Sequence, residues 1–299
     1  MWLFIRVTFN MAILFSNRAF LKGKLTHYKK NRASGFTLIE IIIVIVILSV
    51  LSIGSVQFIS FSAQGYVDTA RRGALASTAN IANEKMTRLI REALPGSVRV
   101  NSTQSCIEFI PIIGATSYLN APFDSAETTV SAVNVDNLLS NSGRLAIYPV
   151  VSNVNELYTL SGNKGYISTQ TVNGVVVGNE VTFTFDAGAS FQFESRSPQK
   201  RLYIIDQPNT FCQIGSNLFY FHNYGFVGDI ANLSASLPTT ISGRLLIANQ
   251  LSPGSLRFRY LPSSLRRNAI VSYELELRGA SNQAEVMVIN QEVQIRNVP

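Results

Sequence analysis

The sequence predicts an α+β protein in which one long N-terminal helix, half of it spanning a membrane, packs on a C-terminal domain of antiparallel β-sheet. Three observations support this fold class: an apolar segment after residue 40, a helical periodicity that resumes beyond it, and short strand-like segments joined by Gly, Ser and Asn turns. The β region, residues 97–299, is large enough to form one or two sheets.

The first predicted element is a membrane-spanning helix over residues 36–56. No charged residue occurs from Ile41 to Val67. As a helix, residues 36–56 would be about 32 Å long, which matches the hydrocarbon core of a bilayer. Glu40 lies near one end of this segment, where an ionised group is costly unless another group pairs with it. We therefore expect Glu40 to have a functional role.

A basic leader precedes the apolar segment. Residues 1–34 contain seven Lys or Arg side chains and no acidic one, which predicts a cytoplasmic N-terminus and a C-terminal part outside. A secretory signal is cut after its apolar stretch, next to small residues, but here Ala33, Ser34 and Gly35 come before it. Cleavage after Gly35 would remove residues 1–35, whether translation starts at Met1 or at Met11, and leave the helix on the mature chain.

The six residues from Gly35 to Glu40 read Gly-Phe-Thr-Leu-Ile-Glu and, with the leader, resemble the type III signal of type IV pilins and pseudopilins. The resemblance implies that a prepilin peptidase cuts between Gly35 and Phe36 and methylates the new amino group of Phe36. It also implies that Glu40, the fifth mature residue, meets the N-terminus of a neighbouring subunit during assembly. A plain signal anchor that carries this run by chance is the alternative.

The charge of the chain comes from its leader. The net charge is +7, and removal of the seven basic residues of the leader leaves 18 basic and 18 acidic residues. A neutral mature chain gives no reason to expect a nucleic-acid partner.

The predicted helix continues to residue 94. After a stretch rich in Gly and Ser, residues 54–65, apolar positions recur at spacings of three and four until Pro95 and Gly96 end the pattern. These positions are Leu75, Thr78, Ala82, Met86, Leu89 and Ala93. Residues 54–65 either bend or melt on assembly, or form a straight helix whose small residues allow close packing.

The remaining residues are predicted to form a β-rich domain. Residues 114–143 are rich in Ala, Ser, Asn and Thr and are expected to be an irregular insertion, and residues 278–283 to be a hairpin loop. The candidate strands are 106–113, 145–151, 181–185, 202–205, 218–222, 257–260, 271–277 and 286–295.

Two cysteines are the candidates for covalent chemistry. Cys106 and Cys212 both follow the membrane segment and so lie in an oxidising compartment, which favours a disulfide between them over two buried thiols.

No catalytic, cofactor or metal site is predicted, and we do not expect an enzyme. His222, the only histidine after the leader, lies in an aromatic strand, and no nucleophile motif accompanies it. The carboxylates have no EF-hand spacing. They are Asp124, Glu127, Asp136, Asp186, Asp206 and Asp229.

Two further segments resemble minor subunits of the same family. Residues 88–95, Arg-Leu-Ile-Arg-Glu-Ala-Leu-Pro, resemble the larger minor subunits of the pseudopilin J and pilin W type. Residues 106–116 resemble a minor subunit of mannose-sensitive haemagglutinin (MSHA) pili. The resemblance implies an inner-membrane protein with a periplasmic domain that helps to prime an MSHA-type pilus and stays at its tip for surface attachment.

The same resemblance implies the partners. They are prepilin peptidase, other minor pilins, the major pilin, the inner-membrane assembly platform, and membrane lipid around residues 36–56. Two alternatives remain: a minor pseudopilin of a type II secretion system, and a membrane-anchored periplasmic enzyme.

Overall fold

A computed structural model describes residues 35–135, 142–263, 267–279 and 285–295. The chain divides into two compact units, Met1–Phe61 and Ser62–Pro299, which are described separately. Residues 1–34 of the predicted leader lie outside the described ranges, and so do residues 280–283, four of the six that were expected to form a hairpin loop at 278–283.

Helix α1, Leu38–Arg91, is the first element of the described chain. Its start is fixed by Thr37, whose side-chain oxygen accepts a hydrogen bond from the backbone N–H of Glu40 at 3.3 Å. In the first unit, residues 38–61 are helical and exposed throughout. Residues 54–65, the stretch rich in Gly and Ser, are helical at every position. Arg88 and Arg91 lie in the last turn, where cations are favourable at the negative end of the helix dipole.

The second unit contains the strands. They are β1 (Arg99–Val100), β2 (Cys106–Phe109), β3 (Ile112–Asn120), β4 (Thr129–Val133), β5 (Ser142–Ala146), β6 (Lys164–Gly165), β7 (Val172–Val177), β8 (Glu180–Phe185), β9 (Gln192–Phe193), β10 (Arg201–Ile205), β11 (Asn209–Ile214), β12 (Asn217–Phe221), β13 (Arg244–Ala248), β14 (Arg257–Leu261), β15 (Ala269–Arg278) and β16 (Val286–Ile295). Three 3-10 helices (Val154–Tyr158, Asp186–Gly188 and Ile230–Asn232) and a short helix α2 (Leu233–Ser236) connect them.

These strands form three larger sheets. One has five strands in the order β1-β2-β11-β12-β13, one is a closed barrel in the order β10-β3-β4-β8-β7-β5, and one has the order β14-β15-β16. Neighbouring strands in all three are antiparallel. A short parallel pair, β6 with β9, lies outside them. The α+β prediction is confirmed, and the β region is divided into more sheets than the one or two that we expected.

The segment 114–143 was expected to be irregular, and this expectation is wrong for its described residues. It contains most of β3 and all of β4, and both are barrel strands. Only alternate positions face the barrel interior, where Tyr118, Val130 and Ala132 are buried. Most of the outward positions are small or polar, so that the average composition of the segment hides the alternation. Residues 136–141 lie outside the described residues.

The C-terminal half of α1 packs within the second unit. Leu75, Ala79, Ala82, Met86 and Ile90 are buried at spacings of three and four, as expected for one face of a helix. They share a core with residues of the five-stranded sheet and of the β14-β15-β16 sheet, among them Ile107, Phe211, Val271, Leu275 and Val293. The barrel has a separate core, which is rich in phenylalanine.

Candidate processing and assembly site

The expected cleavage bond lies in the short segment before α1. Gly35, Phe36 and Thr37 have no helical or strand structure, and the side chain of Phe36 is 80% exposed. No heavy atom lies within 4 Å of a Cβ atom placed on Gly35, so the described part of the chain does not cover this peptide bond. A peptidase needs an accessible backbone, and the described residues around Gly35 offer one.

Glu40 lies in the first turn of α1. Its backbone N–H donates to the carbonyl of Thr37 at 3.1 Å as well as to the Thr37 hydroxyl. Thr37 is therefore the residue that caps the helix, and Glu40 is three positions later, which is the spacing of a capping box. A carboxylate in this turn is also stabilised by the positive end of the helix dipole.

The Glu40 side chain is exposed in an apolar environment. Its neighbours Ile39 and Ile41 are 61% and 52% exposed. Among the described residues, none of the ion pairs includes Glu40. A carboxylate that enters a membrane in this state needs a cationic partner from outside the described part of the chain.

Helix α1 is long and apolar enough to cross a membrane, and no residue of its most apolar 18-residue window is buried. It is the one such helix among the described residues. Apolar side chains on every face of residues 38–61 have no protein core to enter, which is the pattern of a lipid-facing or subunit-facing helix.

Cys106 and Cys212 lie opposite each other on the neighbouring strands β2 and β11. Their sulfur atoms are bonded at 2.01 Å, and their Cα atoms are 4.2 Å apart. The bond joins positions 106 residues apart in the sequence and lies in a small cluster with Phe221 and Leu233. It ties the beginning of the β region to the middle of the five-stranded sheet.

His222 and the scattered carboxylates have structural contacts. The His222 ring stacks on Tyr220 with 5.6 Å between centroids. Asp124 pairs with Arg196 at 2.9 Å, and Asp186 accepts hydrogen bonds from Thr171 and Asn173. Asp229 caps a 3-10 helix through the N–H of Ala231. Asp136 lies outside the described residues. Within the described ranges, no group of three His, Cys, Asp or Glu side chains is arranged to hold a metal ion.

A buried ion pair between Arg99 and Glu108 was not identified from the sequence. The two residues face each other across β1 and β2, with Arg99 Nε 2.6 Å from Glu108 Oε2 and side chains 2% and 0% exposed. Tyr224 donates its hydroxyl to the other carboxylate oxygen at 2.8 Å. Burial raises the pKa of Glu108, while Arg99 and the Tyr224 hydrogen bond oppose this by stabilising the carboxylate.

The rest of the Arg99 guanidinium anchors a loop. It donates to Asn155 Oδ1 at 2.7 Å and to the carbonyls of Gly228 and Val227. Its face lies 3.5 Å from the centre of the Tyr158 ring. The network holds residues 224–228 and the 3-10 helix Val154–Tyr158 against the five-stranded sheet. The network has a structural role, and all of its buried side-chain nitrogen and oxygen atoms have hydrogen-bond partners.

In a comparison with protein families, residues 30–56 match the prokaryotic N-terminal methylation motif, and this range includes Gly35, Phe36 and Glu40. The motif indicates a type IV pilin-like or pseudopilin-like protein that is processed by prepilin peptidase, assembles with other pilins and is anchored in a membrane by one helix. Proteins of this type are structural subunits. No curated protein and no solved structure matched the chain.

Proposed function

We propose that this chain is a minor subunit of a type IV pilus, and that it helps to prime assembly of an MSHA-type pilus and stays at its tip, where the pilus attaches to surfaces. The observation that carries the proposal is that the methylation motif coincides with an exposed apolar helix whose carboxylate, Glu40, has no cationic partner in the described part of the chain. Such a helix is stabilised in lipid only beside other helices, because an unpaired carboxylate or amino group is costly there.

The proposed sequence of events begins in the inner membrane. The basic leader stays in the cytoplasm, and the domain after α1 enters the periplasm. Prepilin peptidase then cuts between Gly35 and Phe36 and methylates Phe36. The assembly platform brings α1 beside other minor pilins and the major pilin. Glu40 then pairs with the N-terminal amino group of a neighbouring subunit.

The assignment as a minor subunit rests on the size of the β region. The second unit has a closed barrel and two further sheets, whereas a repeating fibre subunit needs only enough surface to pack against its copies. The narrower assignment to an MSHA-type pilus tip rests on the resemblance of residues 106–116 to a minor subunit of those pili.

Deletion of the gene is expected to reduce the number of surface pili and to leave protein secretion unchanged. Both are measured in the same culture, by counting pili in electron micrographs and by assaying secreted enzymes. Complementation with the intact gene is the control.

The other outcomes of the deletion contradict the proposal in defined ways. Normal pili with exoenzymes retained in the periplasm would assign the chain to a type II secretion system. Normal pili with normal secretion would remove the priming role and favour a periplasmic enzyme or another function.

A further inference from the structure

Strand β16 is a long open edge. It has ten residues, and β15 pairs with all of them in one continuous register from Arg278 opposite Val286 to Ala269 opposite Ile295. β16 is the last strand of its sheet, and within the described residues no strand pairs with its other side.

The backbone groups on this edge can be assigned. Gly279 donates its N–H to the carbonyl of Glu285 at 2.9 Å, which directs Glu285 towards the neighbouring strand. In an antiparallel pair this direction alternates, so the odd-numbered residues of β16 bond to β15. The even-numbered residues direct their N–H and C=O groups outward. They are Val286, Val288, Asn290, Glu292 and Gln294. Of these backbone groups, the Glu292 carbonyl accepts a hydrogen bond from Gln291 Nε2 at 2.9 Å.

This edge lacks the features that protect exposed strands. Natural edges are usually short or carry Lys, Pro or a bulge, whereas β16 has none of these and only one charged residue, Glu292. Val286 and Val288 are each 45% exposed. Met287 and Ile289 face the core yet are only partly buried, while Leu275 and Leu277 opposite them on β15 are fully buried.

A groove runs beside the edge, between β16 and the part of α1 in the same unit. It contains two concavities of about 550 Å³ each. The first is lined by Leu75 and Met287 together with Asp68, Arg71, Arg72 and Glu285, and the second by Gln291 together with Glu84, Arg88, Arg91 and Glu92. Acidic and basic side chains are balanced in both, so the groove suits an uncharged occupant.

The direction of β16 argues against a second copy of the chain as this occupant. Arg72 pairs with Glu285 at 2.5 Å, and Asn83 donates to Gln291 at 3.5 Å, so α1 and β16 run in the same direction in this unit. In a two-fold dimer that paired two β16 strands antiparallel, these α1 segments would run in opposite directions. Chains that enter one membrane through the same N-terminal segment have the same polarity.

We propose that the free edge of β16 is a docking site for an extended, uncharged strand of a different subunit of the same assembly. The strand adds to the β14-β15-β16 sheet, pairs with the remaining outward backbone groups of residues 286–294 and covers the groove beside α1. The proposal rests on the proposed function, because it takes its partner from the subunits that assemble with this chain.

Val288→Pro tests the docking site in the full-length protein. Proline removes an N–H group that points outward and is not used by β15, so the β15–β16 pairing is kept. Val288→Thr is the matched control, since it changes the side chain and keeps the N–H group. Tagged variants are purified from detergent-solubilised membranes of the native strain, and the captured pilin-type subunits are identified and quantified by mass spectrometry.

We expect Val288→Pro to lower the recovery of at least one other subunit about tenfold or more, as the loss of a strand interface requires, and Val288→Thr to leave it unchanged. Formation of the Cys106–Cys212 disulfide and the thermal unfolding midpoint report folding. Asn290→Pro, which removes the next outward N–H group, replaces Val288→Pro if that variant fails to fold.

Two results would overturn the proposal. One is a folded proline variant that recovers every subunit at the wild-type level. The other is that the wild-type and Val288→Thr proteins form a homodimer and the proline variant does not. Glu40→Gln, tested in parallel, distinguishes failure of the docking site from failure of the proposed pilin function. If Glu40→Gln removes assembly while both proline variants assemble normally, the docking site is wrong and the pilin function stands. If neither Glu40→Gln nor the proline substitutions have an effect, the pilin function itself is contradicted.

Discussion

Glu40→Gln is expected to lower incorporation of this subunit into fibres about tenfold or more and to leave its membrane insertion intact. The substitution keeps the shape of the side chain and the backbone N–H that Thr37 caps, but it removes the charge. In a low-dielectric environment, an N-terminal amino group beside this position would lose its counter-ion, and breaking such a pair typically costs about 3–5 kcal/mol. A tenfold effect needs only about 1.4 kcal/mol.

Glu194→Gln is the matched control for Glu40→Gln. Glu194 lies in the β-rich unit, it is exposed, and it pairs with Lys164 at 3.4 Å. Removal of such a surface pair changes stability by no more than about 1 kcal/mol. The amount of each variant in sheared fibres, relative to its amount in membranes, is the measurement. Equal ratios for the two variants would show that the Glu40 charge has no role in assembly.

Arg99→Met is expected to destabilise the β-rich unit by about 3–5 kcal/mol, because it leaves the Glu108 carboxylate buried without its cation. It also removes the hydrogen bonds to Asn155 and to the carbonyls of Gly228 and Val227. Since domains of ordinary stability unfold at a cost of about 5–15 kcal/mol, a loss of this size should lower the thermal midpoint strongly and reduce the protein level in cells.

Two further variants are the controls for Arg99→Met. Arg196→Met breaks an exposed pair with Asp124 and should have a small effect. The double variant Arg99→Met/Glu108→Leu removes both buried charges and should recover part of the lost stability. The midpoints are measured on the full-length proteins in detergent by circular dichroism. A loss no larger than that of Arg196→Met would mean that the buried network does not stabilise the fold.

The helical part of the fold could be predicted because its signals are local. An apolar run and a spacing of three and four are properties of neighbouring residues, and the buried face of α1 follows the expected stripe except that Ala79 and Ile90, not Thr78 and Leu89, are fully buried. The one-residue shift reflects where the sheets lie, which the helix sequence does not contain.

Strands of the β region were predicted where they alternate or form an apolar run. β8 and β15 alternate between buried and more exposed positions, and β2 and β10 are mostly apolar and buried on both faces. β11 was missed because five of its six residues are buried although three of these are polar, so its sequence neither alternates nor forms an apolar run. Barrel closure also depends on pairings between distant strands, such as β10 with β3, which a local pattern does not specify.

The candidate site divides in the same way. Gly35, Phe36 and Glu40 belong to one short motif and could be identified from the sequence, whereas no cationic partner for Glu40 is found among the described residues. The Arg99–Glu108 pair had a signal that was overlooked. Glu108 is a single charge in an otherwise apolar strand, and the polar turn of residues 101–105 places Arg99 directly opposite it.

The central claim is that this chain is processed as a pilin, and the N-terminus of the protein in its native membrane tests it most directly. Intact mass and N-terminal fragment masses are measured on the protein purified from membranes. The account predicts a chain that begins at Phe36 and carries one methyl group on its amino nitrogen. A chain that retains residues 1–35, or one that is cut after the apolar segment, would contradict it.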